Sequence, residues 1–289
     1  MVRPALAPKK SLGQHFLHDQ HVLTRIAELA VPPDATGVVE IGPGTGNLTA
    51  PLIATMDRVA PQLPLTLIEV DKRTPEVLRR RFGDRFALHM GDAAEVDWPE
   101  LLGRLGPRPS VVGNLPYYAA LPIVFALLDS PVPPERLVVM VQREVADRMA
   151  ATPRGGDRGQ VSVKLQLRAQ VEVAFRVGRG AFQPPPNVDS SVVVLRPRPC
   201  PWVLPAWSIT SQVITDGFAL RRKTLVNALM AARWPGAEVR RVLQSLQLSP
   251  TVRAEELDNP TWAALAMELQ AHAPPLATPA GLGKGRKNS

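Results

Sequence analysis

The sequence predicts an α/β domain with a largely parallel sheet, followed by a small helical domain. Three observations predict it. Short apolar runs alternate with helical patterns from Val38 to Met149, as in a parallel sheet whose strands are joined by crossover helices. Two later β-rich runs have no clear helix between them, which suits an antiparallel hairpin at a sheet edge. Beyond the proline-dense stretch Arg196–Pro201 the pattern is helical alone, and proline-rich stretches of this kind mark domain boundaries.

The elements follow in order. A polar arm opens the chain, and a first helix places Val22, Ile26 and Leu29 on one face before Pro32 and Pro33 end it. Strands are expected at Val38–Ile41, Leu65–Val70, Phe86–Met90, Ser110–Gly113 and Leu137–Val141. Helices are expected over Asn47–Met56 and Leu121–Leu128, and after the fifth strand around Glu144–Met149. Val171–Val177 and Ser191–Leu195 form the hairpin. The segments ITSQVITDGFAL, KTLVNALMAA, AEVRRVLQSL and TWAALAMELQ are the later helices. The expected domains are residues 1–198 and 199–272, with a basic tail, 273–289, whose Pro, Gly, Lys and Arg content predicts disorder.

A chain of 289 residues suits two domains and buries a core without staples. The single cysteine, Cys200, excludes a disulfide framework and an all-cysteine metal site, fits a reducing cytosol, and leaves no metal centre expected. Lysine and arginine exceed aspartate and glutamate by 34 to 26, a net charge of +8. Seven of those cations are lysine, so arginine dominates, and arginine makes forked contacts to phosphate and stacks on bases. A polyanionic partner is one reading of that excess; a compositional bias of the genome is the other. No apolar run approaches the roughly 20 residues of a membrane span, and the N-terminus lacks the apolar stretch of a signal peptide. A cytoplasmic, monomeric protein without membrane association is expected.

The segment Val38-Val-Glu-Ile-Gly-Pro-Gly-Thr-Gly-Asn47 reads as strand, glycine turn and helix start. Glycine lets the backbone turn tightly and approach a ligand. The pattern alone serves NAD, a flavin or S-adenosylmethionine, or is simply a tight turn. Glu69 ends the second strand, where a carboxylate can accept ribose hydroxyls. Gly91-Asp92-Ala93 follows the third strand, where an acidic side chain can meet an adenine amine or merely cap a helix. The third glycine comes one residue earlier than in GxGxxG, and Pro43 interrupts the turn. Stations at three consecutive strand ends favour S-adenosylmethionine.

Asn114-Leu115-Pro116-Tyr117 follows the fourth strand, at the sheet edge where open α/β folds bind ligands. Adenine's exocyclic amine is a poor nucleophile, because its lone pair is delocalised into the ring. The Asn114 side-chain oxygen and the Leu115 carbonyl can accept its two hydrogens and favour a tetrahedral nitrogen, which is catalysis by positioning and electrostatics. Pro116 stiffens the turn. Tyr117 offers a face on which an extruded base can stack. The alternative is a strand-end turn with asparagine as a cap. In the loop Phe182-Gln-Pro-Pro-Pro-Asn-Val-Asp-Ser190, Phe182 either closes the base pocket or belongs to the core.

Taken together, GQHFL at Gly13–Leu17, EIGPGTGNLT at Glu40–Thr49, IEVD at Ile68–Asp71, GDA at Gly91–Ala93, GNLPY at Gly113–Tyr117, FQPPPNVDS at Phe182–Ser190 and LRRKTLVNAL at Leu220–Leu229 resemble the ribosomal RNA adenine dimethyltransferases, in particular the small-subunit KsgA (RsmA) group. The resemblance runs from about Lys10 to Leu269. It implies a Rossmann-like methyltransferase sheet of seven mostly parallel strands plus a helical C-terminal domain. It also implies that S-adenosylmethionine is used to dimethylate two adjacent adenosines in a hairpin loop near the 3′ end of 16S rRNA, in the small subunit or its precursor. Carried over, the cofactor positions are His15 and Leu17 of the arm, Gly42 with Gly44, Glu69, Asp92 with Ala93, and Asn114. Many members have asparagine where His15 stands, so that contact is assigned to the backbone. Asn114, Leu115, Pro116, Tyr117 and Phe182 match the catalytic and base-holding positions.

Arg221, Arg222 and Lys223, placed at the start of a helix, are the candidate RNA contacts, extended by Lys9 and Lys10. Arg79–Arg81 reads as a solvated helix face. The rival functions are an Erm-type methylase of large-subunit RNA, a methyltransferase fold serving only as an RNA-binding assembly factor and, more distantly, an NAD-dependent dehydrogenase. Leu115 and the LRRKTLVNAL segment favour the small-subunit group. The intact set Glu69, Asp92, Asn114 and Tyr117 favours catalysis.

Overall fold

The structure, a computed structural model, describes residues 15–116 and 119–275. Tyr117, Lys9, Lys10 and the tail from residue 276 lie outside the described residues. The chain divides into two compact units, one running to Ala150 and including Arg168–Pro199, the other formed by Ala151–Leu167 and the residues from Cys200 onward. The sequence had placed residues 151–167 in the first domain; the structure places them in the second.

The first unit is built on a seven-stranded sheet. Its strands are β2 (Gly37–Ile41), β3 (Leu65–Glu69), β4 (Ala87–Met90), β5 (Pro109–Asn114), β6 (Arg136–Gln142), β7 (Ala169–Val177) and β9 (Ser190–Pro197), in the order β4-β3-β2-β5-β6-β9-β7. The pairings from β4 through to β6 are parallel, whereas β9 runs antiparallel to both β6 and β7. The expected hairpin is therefore the β7–β9 edge. Every residue of β2 and β3 is buried, as in a parallel sheet covered on both faces. The strand order reverses across β2, so the carboxyl ends of β2, β3 and β5 open onto one crevice.

Helices α2 (Thr49–Val59), α3 (Thr74–Phe82), α4 (Trp98–Arg104), α5 (Ala120–Asp129) and α6 (Arg143–Ala150) connect these strands. Helix α1 (Gln20–Ala30) precedes them, capped by Asp19, whose side chain accepts from the His21 and Val22 amides. It buries Leu23, Ile26, Ala27 and Ala30. The buried face is thus rotated from the expected one, and Val22 and Leu29 lie only partly buried at its margin. A separate two-stranded ribbon pairs β1 (Phe16–Leu17) with β8 (Phe182–Gln183). Phe182, expected in a loop, is therefore in a strand.

The second unit contains α7 (Gln160–Gln166), α8 (Trp207–Gly217), α9 (Leu225–Ala231), α10 (Gly236–Ser245) and α11 (Asn259–Leu269). Its core surrounds Trp262, which is fully buried and stacks on Phe218 with ring centroids 5.3 Å apart. Val163 and Leu167 join that core, which is the apolar reason that residues 151–167 belong here. Arg221–Lys223 lie in the turn before α9 and not at its start, because Thr224 is the cap whose hydroxyl accepts from the Asn227 amide. Among the described residues, no helix is long and apolar enough to cross a membrane.

Candidate active site

One cavity opens at the carboxyl ends of β2, β3 and β5. Its lining includes His15, Leu17, Gly42, Gly44, Glu69, Asp92, Ala93, Asn114, Leu115, Pro116 and Phe182. The structure thus brings together every described residue that the sequence nominated for cofactor or catalysis. Arg221–Lys223 belong to the other unit.

The glycine turn follows β2. Gly42 has φ +68°, and a β-carbon placed on it would meet nothing within 4 Å. Left-handed backbone and open space let a ligand approach the chain closely there. Gly46 is required for another reason: a β-carbon would lie 2.4 Å from the Phe82 ring of α3. Arg79–Arg81 are exposed, as expected of a solvated helix face, and Arg81 in addition donates to the Thr45 carbonyl and ties α3 to this turn.

Glu69 closes β3 and is buried. Its Oε1 accepts from the Val70 and Asp71 amides at 2.8 Å, and its Oε2 from the Gly44 amide at 3.0 Å. A carboxylate offers about four lone-pair positions, so one remains on Oε2 for a ligand hydroxyl. Burial pushes the carboxyl above its usual range; the three amide bonds oppose this and nearby Asp71 adds to it.

On the neighbouring strand β2, Glu40 sits on the same cavity wall, a residue to which the sequence assigns no role of its own. It is 1% exposed, and burial raises its carboxyl to about 8, against the Thr49 hydroxyl bond and with repulsion from Glu69. Thr49 Oγ1 donates to its Oε2 at 2.7 Å. The available signal was a glutamate inside the apolar run VVEI.

Asp92 Oδ1 accepts from the Ala94 amide at 2.9 Å. It therefore does shape its own turn, while Oδ2 is left for a ligand. Ala93 is buried, and its carbonyl accepts from the Trp98 indole at 3.1 Å.

Asn114 is the last residue of β5. Its Nδ2 donates to the His15 carbonyl at 3.2 Å. A carbonyl can only accept, so this bond fixes the amide with its nitrogen toward the arm and its oxygen turned away. Asn47 makes the matching bond from the glycine turn, Nδ2 to the Leu17 carbonyl at 2.8 Å. Gly113 precedes Asn114 where a β-carbon would lie 2.9 Å from the Ile41 carbonyl, so β2 and β5 converge closely here. Pro116 turns the chain into α5, its carbonyl accepting from the Ala119 amide at 2.9 Å. Leu115 is buried.

The described end of the arm, His15 to Leu17, lines the cavity. Leu17 is paired with Phe182 in the β1–β8 ribbon, and the His15 ring bonds the Pro184 carbonyl at 2.9 Å. Phe182 is 3% exposed and serves at once as core residue and cavity wall. His15 and Leu17 thus present their carbonyls to Asn114 and Asn47.

Sheet order and crevice define the class: a Rossmann-like methyltransferase, with its site at the point where the strand order reverses. The family model for ribosomal RNA adenine dimethylase matches residues 6–270, and the chain belongs to that family. The protein named ribosomal RNA small subunit methyltransferase A of Synechococcus sp. (strain JA-3-3Ab) is 41% identical, over 96% of this chain and 99% of that protein. A dimethyladenosine transferase from Plasmodium falciparum shares the fold with TM-score 0.72 and 23% identity, covering 89% of this chain and 98% of that one. The 23S rRNA methyltransferase ErmE follows with TM-score 0.65 and 25% identity, covering 88% of this chain and 99% of that one.

Proposed function

We propose that the protein uses S-adenosylmethionine to dimethylate the exocyclic amines of two adjacent adenosines in the 3′-terminal hairpin loop of 16S rRNA, as a cytoplasmic monomer acting on the small subunit or its precursor. The observation that carries the chemistry is the Asn114 amide, tied by its nitrogen to the His15 carbonyl. When bound, S-adenosylmethionine supplies the methyl group.

The chain's own residues do the rest. Glu69 offers its free Oε2 position to the ribose, and Asp92 its Oδ2 to the adenine amine of the cofactor. Open backbone at Gly42 admits the amino-acid end of the ligand, and Gly44, held by its amide to Glu69, shapes the turn beside it. Asn114 Oδ1 and the Leu115 carbonyl hold the two hydrogens of the target amine, and these acceptors pull hardest once the nitrogen is tetrahedral and gains positive charge. Pro116 keeps the two acceptors in fixed relation. Phe182 walls the base pocket, and Tyr117 is assigned its opposite, stacking face. Arg221, Arg222 and Lys223 contact RNA phosphate. Small-subunit RNA is preferred over an Erm-type substrate because the small-subunit relative is 41% identical over 96% of this chain and 99% of its own length.

Methylation of small-subunit particles lacking this modification, read by primer extension, tests the proposal. Stops at two adjacent adenosines near the 3′ end of 16S rRNA are expected. Modification of 23S rRNA alone would overturn it in favour of the Erm-type reading.

A further inference from the structure

The segment between α6 and α7 reads Ala151-Thr-Pro-Arg-Gly-Gly-Asp-Arg-Gly159. Its fixed point is Arg158, which is 2% exposed. The guanidinium donates to the Ala151 carbonyl at 3.0 Å, Gln166 Oε1 at 2.8 Å, the Leu257 carbonyl at 3.3 Å and Asn259 Oδ1 at 2.7 Å. All four acceptors are neutral. A buried cation contributes little net stability because of its desolvation, but bonds from four directions fix the segment's shape. Within it, Arg154 takes a left-handed backbone, φ +63°, and its amide donates to the Glu255 carbonyl at 2.8 Å.

That segment is joined to the turn before α9. Arg221 Nη2 donates to the Gly156 carbonyl at 3.4 Å. Arg154, Arg221, Arg222 and Lys223 are all exposed, and none has an ion-pair partner among the described residues. Some exposed arginines elsewhere are paired, as Arg80 is with Glu76 and Arg108 with Glu135, whereas Arg233 has no such partner among the described residues. The carboxylates close to the segment in sequence or contact are Asp157, within it, Glu255, which lies 4.0 Å from Arg253, and Asp258, whose charge acts on Arg158 while its side chain accepts from the Thr261 amide. Four unpaired cations on two connected turns form a surface for a chain of phosphates, whose binding releases counterions.

We propose that the Arg154 turn and Arg221–Lys223 form one surface for the RNA backbone, with buried Arg158 as the positioning residue that sets its shape. The inference rests on the rRNA reading above and extends it to a segment that reading does not use.

The test is binding of the full-length protein to an RNA fragment carrying the 3′-terminal 16S hairpin, measured across a salt series. Arg154→Asn removes the charge and tolerates the left-handed backbone. Arg233→Asn is the matched control, since Arg233 is also exposed, also left-handed at φ +70° and without an ion pair among the described residues. Arg154→Asn should lower the slope of log affinity against log salt by about 0.7 to 0.9, the value of one phosphate contact. Arg233→Asn should leave it unchanged. Arg158→Met, which removes no exposed charge, should reproduce part of the Arg154 loss while cofactor affinity stays at the wild-type value. If neutralising Arg221–Lys223 lowers the slope but Arg154→Asn does not, this inference fails and the rRNA reading stands. Equal losses from Arg154→Asn and Arg233→Asn also overturn it, as a general charge effect. Wild-type binding that ignores salt overturns the rRNA reading of the whole surface.

Discussion

The Asn114 side-chain amide donates to the His15 main-chain carbonyl at 3.2 Å, 99 residues away in sequence. The arm thereby orients the residue assigned to the reacting amine. Asn47 does the same for Leu17 across 30 residues. The arm is consequently part of the site and not only its cover.

Removing that second tether should loosen the arm without touching the reacting group. Asn47→Ala deletes the Leu17 bond, a loss of about 0.5–1.5 kcal/mol, together with the bond that its Oδ1 accepts from the Thr45 hydroxyl within the same turn. Cofactor affinity should fall about 2- to 12-fold, measured by calorimetry. Affinity equal to wild type would show that the Leu17 tether has no part in holding the ligand.

Glu69→Ala should weaken S-adenosylmethionine binding by about 1–3 kcal/mol, the scale of a lost charge-assisted bond. The variant also releases the Gly44 amide, so the glycine turn loses an anchor together with the ligand. Calorimetry checks this, and an unchanged dissociation constant would remove Glu69 from the cofactor site.

Glu40 predicts a pH dependence of stability. Its folded-state value of about 8 lies above the ordinary 4.5. Between those values the folded state holds a proton that the unfolded state has lost, so stability falls as pH rises through that window. Each unit corresponds to about 1.4 kcal/mol. Glu69 contributes in the same direction. Glu40→Gln keeps an acceptor for Thr49 and removes the titration. Its melting temperature should gain on wild type steadily from pH 5 to pH 8; parallel profiles would contradict the assignment.

What was legible in the sequence was local. The glycine turn, Glu69, Asp92 and Asn114 each stand at a strand end next to their own motif, so position along the chain was enough to find them. The bonds that assemble them were not legible, because Asn114 and Asn47 reach carbonyls that any residue could supply. Glu40 opens the EIGPGTGNLT motif, but nothing in that motif signals that its carboxyl is buried on the cavity wall beside Glu69. Residues 151–167 were misplaced since α7 is short, and the reason for its placement, Arg158 bonded to Leu257 and Asn259, joins distant segments. For Arg221–Lys223 the signal was present: Thr224 is a helix cap, and a cap ends the preceding turn.

The central claim is that Asn114 acts on the transition state, and single-turnover methylation of small-subunit particles tests it most directly. Interactions that strengthen only as the nitrogen becomes tetrahedral raise turnover more than binding. Asn114→Ala should therefore add about 2–4 kcal/mol to the barrier, a rate roughly 30- to 1,000-fold slower. RNA affinity, measured separately, should stay close to wild type because phosphates supply most of it. A variant that methylates at the wild-type rate would contradict the account and reduce Asn114 to a tether for the arm.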